Sequence, residues 1–180
     1  TYDYDKNLSG ESSFQNGMAR MKKNGKCGMI DSTEKTIVPF EFDDILPFEN
    51  GLAPVKKKDK WGFIDAKIKL VIPYQYDWAS SFQDGTAIVK TENGMGVIDA
   101  KGKEIIPDEF QEIKYSQNFF YMNDGNGWGL MDKKGNWILP CRYSKIEFIS
   151  GTLLRLEMND TFGYYNIERC DFIWKEEGME

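Results

Sequence analysis

One glycine recurs through the whole chain at a nearly constant interval, and this periodicity constrains the fold more than any other feature. The intervals are 34, 34, 33 and 34 residues, between Gly28, Gly62, Gly96, Gly129 and Gly163. Prolines that close short, mostly apolar triplets keep the same phase, at Pro39, Pro73, Pro107 and Pro140. A period of this length is typical of tandem repeats, in which each unit buries its apolar surface against its neighbours. The sequence therefore predicts five copies of one structural unit.

Each copy has the pattern of three short strands joined by two turns. In the third copy the turns are Asn93-Gly94, which favours a type I′ hairpin, and 99–102, an Asp-to-Gly tetrapeptide that favours a type I turn with a glycine bulge. The tight hairpin turn is expected at Asp59-Lys60 in the second copy and at Asn126-Gly127 in the fourth. Pro107 lacks an amide donor and is predicted to end the third strand, before a link of about ten residues. The predicted fold is all-β, a series of three-stranded antiparallel meanders with little or no helix.

The repeat borders predict one domain over residues 1–180. Its five repeats are expected at 14–47, 48–81, 82–114, 115–147 and 148–180. The segment Tyr2-Asp3-Tyr4-Asp5 resembles Tyr74-Gln75-Tyr76-Asp77, which follows Pro73. Residues 1–13 are therefore predicted to be the tail of a preceding repeat, and the chain is expected to be part of a longer protein.

Serial units of this kind can form an open β-superhelix, or solenoid-like array, or they can close into a five-bladed propeller. Propeller blades usually have four strands and about forty or more residues, which is longer than these units. The open array is therefore favoured, and the closed five-bladed propeller is the alternative.

The dipeptides Trp61-Gly62 and Trp128-Gly129, together with the periodic prolines and a Phe-x-Asn/Asp-Gly motif, resemble the bacterial WG-repeat family. The similarity covers essentially the whole chain, although Cys27, Met95 and Phe162 stand at the tryptophan position in the other three copies. The resemblance implies a β-rich repeat module, often joined to other domains. It implies no catalytic residues.

Composition argues against several classes of function. The net charge is −6, and no basic face stands out that could neutralise nucleic-acid phosphates or an anionic membrane. No apolar segment is long enough for a spanning helix, so neither nucleic acid nor membrane insertion is expected. The chain has no histidine, and its three cysteines show no CxxC spacing, so we expect no metal, no cofactor and no closed disulfide framework. This cysteine content is compatible with the cytoplasm, but it does not exclude a secreted or surface location.

Residues that recur in every copy have structural interpretations. The tryptophan position accepts Cys, Met and Phe as well, which indicates a core position rather than a sugar platform. The adjacent glycine indicates a bulge or a close approach of another group, such as the residue at the tryptophan position of a neighbouring unit. The aspartates that end the second strand are expected to accept hydrogen bonds from turn amides. The aromatic residue three positions after each proline is expected in the core.

Residues that depart from the repeat are better candidates for function. Trp137 occupies the position of Thr36, Leu70 and Glu104, which predicts that it is exposed. Together with Phe119 and Tyr121 it is predicted to form an exposed aromatic cluster, a plausible contact for a protein or glycan partner. Cys141 precedes Arg142, whose charge could lower the pKa of the thiol, but without histidine a nucleophilic role is not favoured.

The favoured function is a non-catalytic module that presents an extended surface to a protein or glycan. One alternative is a carbohydrate-active enzyme that uses carboxylates alone, with non-repeated candidates at Asp44, Asp108, Glu112 and Glu157. The other is a purely structural spacer between domains, for which no exposed aromatic cluster is expected. No catalytic residues are assigned.

Overall fold

The computed structural model describes residue 14 and residues 16–179, and among these the regular elements are β-strands without any helix. The predicted tail at 1–13 lies outside the described residues. The strands form five separate antiparallel sheets that follow one another along the chain. The prediction of an all-β chain of tandem antiparallel repeats is therefore confirmed.

The strand bounds of the five sheets are as follows. The first sheet contains β1 (Met18–Lys23), β2 (Lys26–Asp31) and β3 (Thr36–Phe42). The second contains β4 (Asp44–Ile45), β5 (Leu52–Lys57), β6 (Lys60–Asp65) and β7 (Leu70–Tyr76), and the third β8 (Trp78–Ala79), β9 (Thr86–Lys90), β10 (Met95–Asp99) and β11 (Glu104–Phe110). The fourth contains β12 (Glu112–Ser116), β13 (Phe119–Asn123), β14 (Trp128–Asp132) and β15 (Trp137–Tyr143), and the fifth β16 (Lys145–Ser150), β17 (Leu153–Met158), β18 (Thr161–Asn166) and β19 (Asp171–Lys175).

Four of these sheets have four strands, so the prediction of three-stranded meanders is wrong in strand number. The additional strand lies in the segment that was predicted to be a link. In the second sheet it is β4, where Ile45 pairs with Val55 and the Leu46 amide donates to the Pro54 carbonyl at 2.9 Å. A strand of two residues is too short to produce an alternating pattern in the sequence, which is why the sequence did not reveal it.

The prediction that the prolines end the third strand of each repeat is also wrong. In the first sheet β3 continues through Pro39 to Phe42. Met29 pairs with Val38 and Cys27 pairs with Phe42, so the single residue Gly28 faces three residues of β3. Because the ladder is interrupted at this bulge, the missing amide of Pro39 costs no hydrogen bond.

The aspartate turns have the predicted geometry. Asp99 Oδ1 accepts hydrogen bonds from the amides of Lys101 and Lys103 at 2.8 and 2.9 Å, and the Gly102 amide donates to the Asp99 carbonyl. Gly102 has a φ of 80°, as the bulge requires. The same carboxylate-to-amide contacts occur in the other copies, at Asp31, Asp65 and Asp132.

The hairpin turns agree less well with prediction. The pair Lys58 and Asp59 has φ values of 52° and 64°, which suits a type I′ turn one residue earlier than expected. Between β9 and β10, and again between β13 and β14, the loop has four residues, 91–94 and 124–127. The predicted two-residue turns at Asn93-Gly94 and Asn126-Gly127 are therefore wrong.

Buried clusters lie between the first and second sheets, between the second and third, and between the fourth and fifth. In the second sheet Trp61 and Phe63 belong to a buried cluster shared with Phe82 and Val89 of the third repeat, whereas Ile64 belongs to a cluster shared with the first sheet. Both faces of β6 are therefore covered, which explains its continuous apolar run in place of alternation. The aromatic residues after the prolines are buried as predicted, at Phe42, Tyr76, Phe110 and Tyr143.

The chain divides into two compact units. The first comprises the described residues up to Glu92 together with Val97–Glu104, and the second comprises Asn93–Gly96 together with the described residues from Ile105 onward. The candidate site described below lies entirely in the second unit.

Candidate binding site

Trp137 begins β15 and is 51% exposed. The equivalent positions in the other copies are also exposed, at Thr36, Leu70 and Glu104. This position is therefore exposed in each of these four copies. Only the fourth copy has a large aromatic side chain there. Large apolar side chains held in solvent at a defined position are typical of contact surfaces.

Among the described residues, the Trp137 ring has one aromatic neighbour. Its centroid lies 6.2 Å from that of Phe110, and the planes of the two rings are inclined by 60°. Phe110 is the buried last residue of β11, so its position is fixed by the core. Beside the two rings is an open cavity of about 530 Å³, which is within the usual size of small-ligand sites. We call it the Trp137 cavity, and its lining residues are Glu109, Phe110, Asp124, Trp137, Pro140 and Cys141.

The charged groups of the Trp137 cavity are all acidic. Glu109 and Asp124 are both exposed, and neither forms an ion pair with any residue in the described part of the chain. Asp124 is held in its loop because its Oδ1 accepts a hydrogen bond from the Asn126 amide at 2.9 Å. The Trp137 cavity therefore carries two negative charges, and no basic side chain among the described residues forms an ion pair with either of them.

The thiol of Cys141 does not have the properties of a nucleophile. Burial, followed by the nearby charge of Asp124, raises the pKa of Cys141 to about 11. Arg142 is not among the causes of this pKa shift, and its guanidinium lies 5.5 Å from the centre of the Tyr143 ring, so the lowering that its charge could have produced is not found. The Cys141 thiol instead donates a weak hydrogen bond to the Met122 carbonyl, at 3.4 Å.

Phe119 and Tyr121 are not brought together with Trp137. Both are half-buried and contact Phe148 of the fifth sheet, with ring centroids 5.3 and 6.3 Å apart respectively. Residues that alternate along a strand point to opposite faces, and the partner of Trp137, Met131, pairs across with Phe120. The predicted aromatic cluster is thus divided between the two faces of the fourth sheet.

A second cavity, of about 360 Å³, lies on the face of the fourth sheet that carries Tyr121. Its lining residues are Lys114, Ser116, Tyr121, Trp128, Ser144, Lys145 and Ile146. Trp128 is half-buried here, unlike its buried counterpart Trp61, and the Lys114 ammonium lies 4.4 Å from its ring centre. The prediction that the tryptophan position is a core position thus holds for Trp61 but not fully for Trp128.

The charges of this second cavity are balanced locally. Lys114 pairs with Glu112 at 2.9 Å, and Lys145 pairs with Glu147 at 3.0 Å. Burial raises the pKa of the Tyr121 hydroxyl, so this group stays protonated at neutral pH. The second cavity therefore differs from the Trp137 cavity in having cations, each already next to an anion.

The carboxylates considered for catalysis line neither of these two cavities. Asp44 forms an ion pair with Arg20 at 2.8 Å, and Glu157 forms one with Arg155. Asp108 lies within 3.4 Å of the Asn93 side-chain amide. In the described part of the chain, no group of three or more cysteine, aspartate or glutamate side chains is placed to hold a metal ion. The described residues also contain no helix with the length and hydrophobicity to span a membrane.

Sequence reasoning identified Trp137 but missed the acidic residues beside it. Asp124 lies in the β13–β14 loop and Glu109 lies in β11, so they belong to different copies and become neighbours only through folding. A weak signal was available, because Glu109 follows Pro107 by two residues in the third copy where Glu41 follows Pro39 in the first. Nothing in the sequence connected this position with Trp137.

The fold and this site define a protein of tandem antiparallel β-sheet repeats that carries an exposed tryptophan beside an acidic cavity. Comparison with family models finds the one described as "WG containing repeat" at residues 12–27, 28–61, 61–94, 95–126 and 128–161. The chain belongs to the WG-repeat family, as the sequence resemblance predicted. A comparison with curated proteins found no match.

Solved structures with similar folds share little sequence with this chain. A structure of a eukaryotic initiation factor is 10% identical with a TM-score of 0.55, and the alignment covers 91% of this chain and 52% of that one. Kluyvelomyces marxianus Hsv2 is 7% identical with a TM-score of 0.48, covering 91% and 60%. The extracellular domain of BT4673 from B. thetaiotaomicron is 14% identical with a TM-score of 0.45, covering 87% and 27%. The chain thus spans about half of the initiation factor structure, and that likeness concerns the fold alone.

Proposed function

We propose that this chain is a non-catalytic binding module and that it contacts a protein or glycan partner at the Trp137 cavity. The observation that carries the proposal is the exposed Trp137 ring beside a cavity of about 530 Å³. Tryptophan is enriched among the residues that dominate binding energy at interfaces, since it buries a large area with few rotatable bonds. Tandem repeats supply the scaffold, and differences between copies set what the surface recognises.

The remaining polar residues support a non-catalytic role. The recurring aspartates are used in turns, and most of the non-recurring carboxylates considered for catalysis are next to basic side chains. The raised pKa of Cys141 disfavours the thiolate that nucleophilic chemistry requires. Phe119 and Tyr121 are assigned to packing against Phe148, so the proposed contact surface retains Trp137 alone of the three predicted residues.

The experiment compares three proteins on arrays of peptides and oligosaccharides: the wild type, Trp137→Ala and the control Trp78→Ala. Trp78 is also exposed, at 43%, and lies in the first unit of the chain. The expected result is a ligand that the wild type and Trp78→Ala bind equally and that Trp137→Ala binds at least tenfold more weakly, the loss typical of a dominant interface residue. Ligands that all three proteins bind equally, or no ligand on either array, would contradict the proposal.

A further inference from the structure

The Trp137 ring supplies most of the aromatic surface of the Trp137 cavity, because the Phe110 ring beside it is only 4% exposed. Phe110 is fixed by the core, whereas Trp137 stands in solvent, and their planes make an angle of 60°. The face of an aromatic ring carries partial negative charge, so it attracts a cation placed over it. The exposed Trp137 ring is therefore a surface over which a cation can be placed.

The side chains around the rings act almost entirely as hydrogen-bond acceptors. Glu109 and Asp124 present carboxylate oxygens, while Pro140 has no side-chain donor and the Cys141 thiol already donates to Met122. The indole N–H of Trp137 is therefore the remaining side-chain donor in the lining. The hydroxyl groups of a neutral sugar both donate and accept hydrogen bonds, so their acceptor oxygens would find few donors in this lining. A group with several N–H donors matches the lining better.

The electrostatic balance leads to the same ligand chemistry. Neither Glu109 nor Asp124 has a cationic partner among the described residues, and the whole chain carries a net charge of −6. An anionic ligand would be repelled, while a cation would gain two carboxylate contacts that do not compete with an existing ion pair. The second cavity provides a contrast, because its lysines already lie beside glutamates.

We propose that the Trp137 cavity receives an arginine or lysine side chain of a partner protein, with the cation over the Trp137 ring and its N–H groups donating to Glu109 and Asp124. This inference rests on the proposed binding function and specifies the chemical class of its ligand. The partner is thus a protein with a basic segment rather than a glycan.

The test uses calorimetric titration of the full chain with three Gly/Ser nonapeptides that differ only at the central residue. The central residue is arginine, lysine or citrulline, the last being a neutral analogue close in shape to arginine. The same titrations are run on Trp137→Ala, on the double variant Glu109→Gln/Asp124→Asn, and on the control Glu92→Gln/Asp160→Asn. The control removes two exposed acidic charges outside the cavity, and asparagine at 124 retains the oxygen that accepts from Asn126.

The arginine and lysine peptides are expected to bind the wild type and the control equally, and more weakly as salt increases. The cavity double variant should bind them about fivefold to tenfold more weakly, as expected for the loss of two exposed charge contacts. Equal binding of the citrulline peptide, or no effect of the cavity double variant, would overturn the inference. A neutral oligosaccharide such as chitotriose that binds in a Trp137-dependent manner, without binding of the basic peptides, would overturn it while leaving the proposed function intact. Absence of binding by every probe would overturn both.

Discussion

The carbonyl oxygen of Ile72 lies 2.7 Å from the point where a Cβ atom on Gly62 would stand. Real side chains do not approach a carbonyl oxygen so closely, so only glycine fits this position without moving β7. The relation is repeated in the first, third and fourth sheets, with Val38 opposite Gly28, Ile106 opposite Gly96 and Leu139 opposite Gly129. The WG glycine is therefore a consequence of the bulge at the proline, and the contacting group is the backbone of the third strand rather than a tryptophan of a neighbouring repeat.

Substitution of Gly62 by alanine is expected to destabilise the first unit by about 2–3 kcal/mol, because the added methyl group must displace β7 backbone atoms. The matched control is Gly51→Ala, where a Cβ meets no atom within 4 Å and the cost, roughly 1 kcal/mol, comes from a φ of 80° alone. Chemical denaturation followed by circular dichroism measures both variants. The assignment of this glycine to close packing would fail if Gly62→Ala were no less stable than Gly51→Ala.

A stabilising substitution is expected at Glu34. This exposed residue has a φ of 63° at the bulge position that Gly102 and Gly135 occupy in other copies. Glycine relieves the left-handed strain but gains freedom in the unfolded chain, so Glu34→Gly should stabilise by about 0.5 kcal/mol. Glu92→Gly, at an exposed loop position without positive φ, should instead be neutral or destabilising. Thermal melting of both variants checks this, and a lower melting temperature for Glu34→Gly than for wild type would count against it.

The two WG tryptophans should contribute unequally to stability. Trp61 is 7% exposed and packs in the core between the second and third repeats, so Trp61→Ala should cost about 3–5 kcal/mol. Trp128 is half-buried and faces the second cavity, so Trp128→Ala should cost about half as much. The two costs are compared by denaturant unfolding of each variant, followed by circular dichroism at a wavelength that reports on the β-sheets. Equal costs would show that the cavity beside Trp128 does not reduce its packing contribution.

The fold class was accessible from sequence because the glycine recurs in all five copies, and the prolines and turn aspartates recur in four of them with the same local geometry. Asp99 and Gly102 specify their turn through side-chain acceptance and a positive φ, and both are local effects. The additional strand of the four-stranded sheets was not accessible, because it is defined by its pairing with the following strand, as Ile45 of β4 pairs with Val55, rather than by a pattern of its own. Pairing between segments of different copies depends on tertiary packing, which a local pattern does not encode.

The candidate site could be predicted only in part, for a related reason. Comparison of the copies identified Trp137, since a departure from a repeat is visible in one sequence. The grouping with Phe119 and Tyr121 failed because closeness within one repeat does not determine which face of a sheet a side chain occupies. Glu109 becomes a neighbour of Trp137 through contact between the third and fourth sheets, whereas Asp124 lies in the β13–β14 loop of the fourth sheet itself, and no spacing in the sequence reports either contact.

The turn aspartate Asp132 should make the stability of the second unit depend on pH. Its burial raises the pKa, but hydrogen bonds from the Asn136 side chain and amide and from the Lys134 amide outweigh this, so the folded-state pKa lies below the ordinary value of 3.8. A lowered folded pKa means that the carboxylate stabilises the fold fully above 3.8, and that this contribution is lost as pH falls through the folded value. Wild type should therefore be more stable than Asp132→Asn at neutral pH, and the difference should shrink as the pH falls below 3.8. Melting temperatures of both proteins across this range test the expectation, which a pH-independent difference would refute.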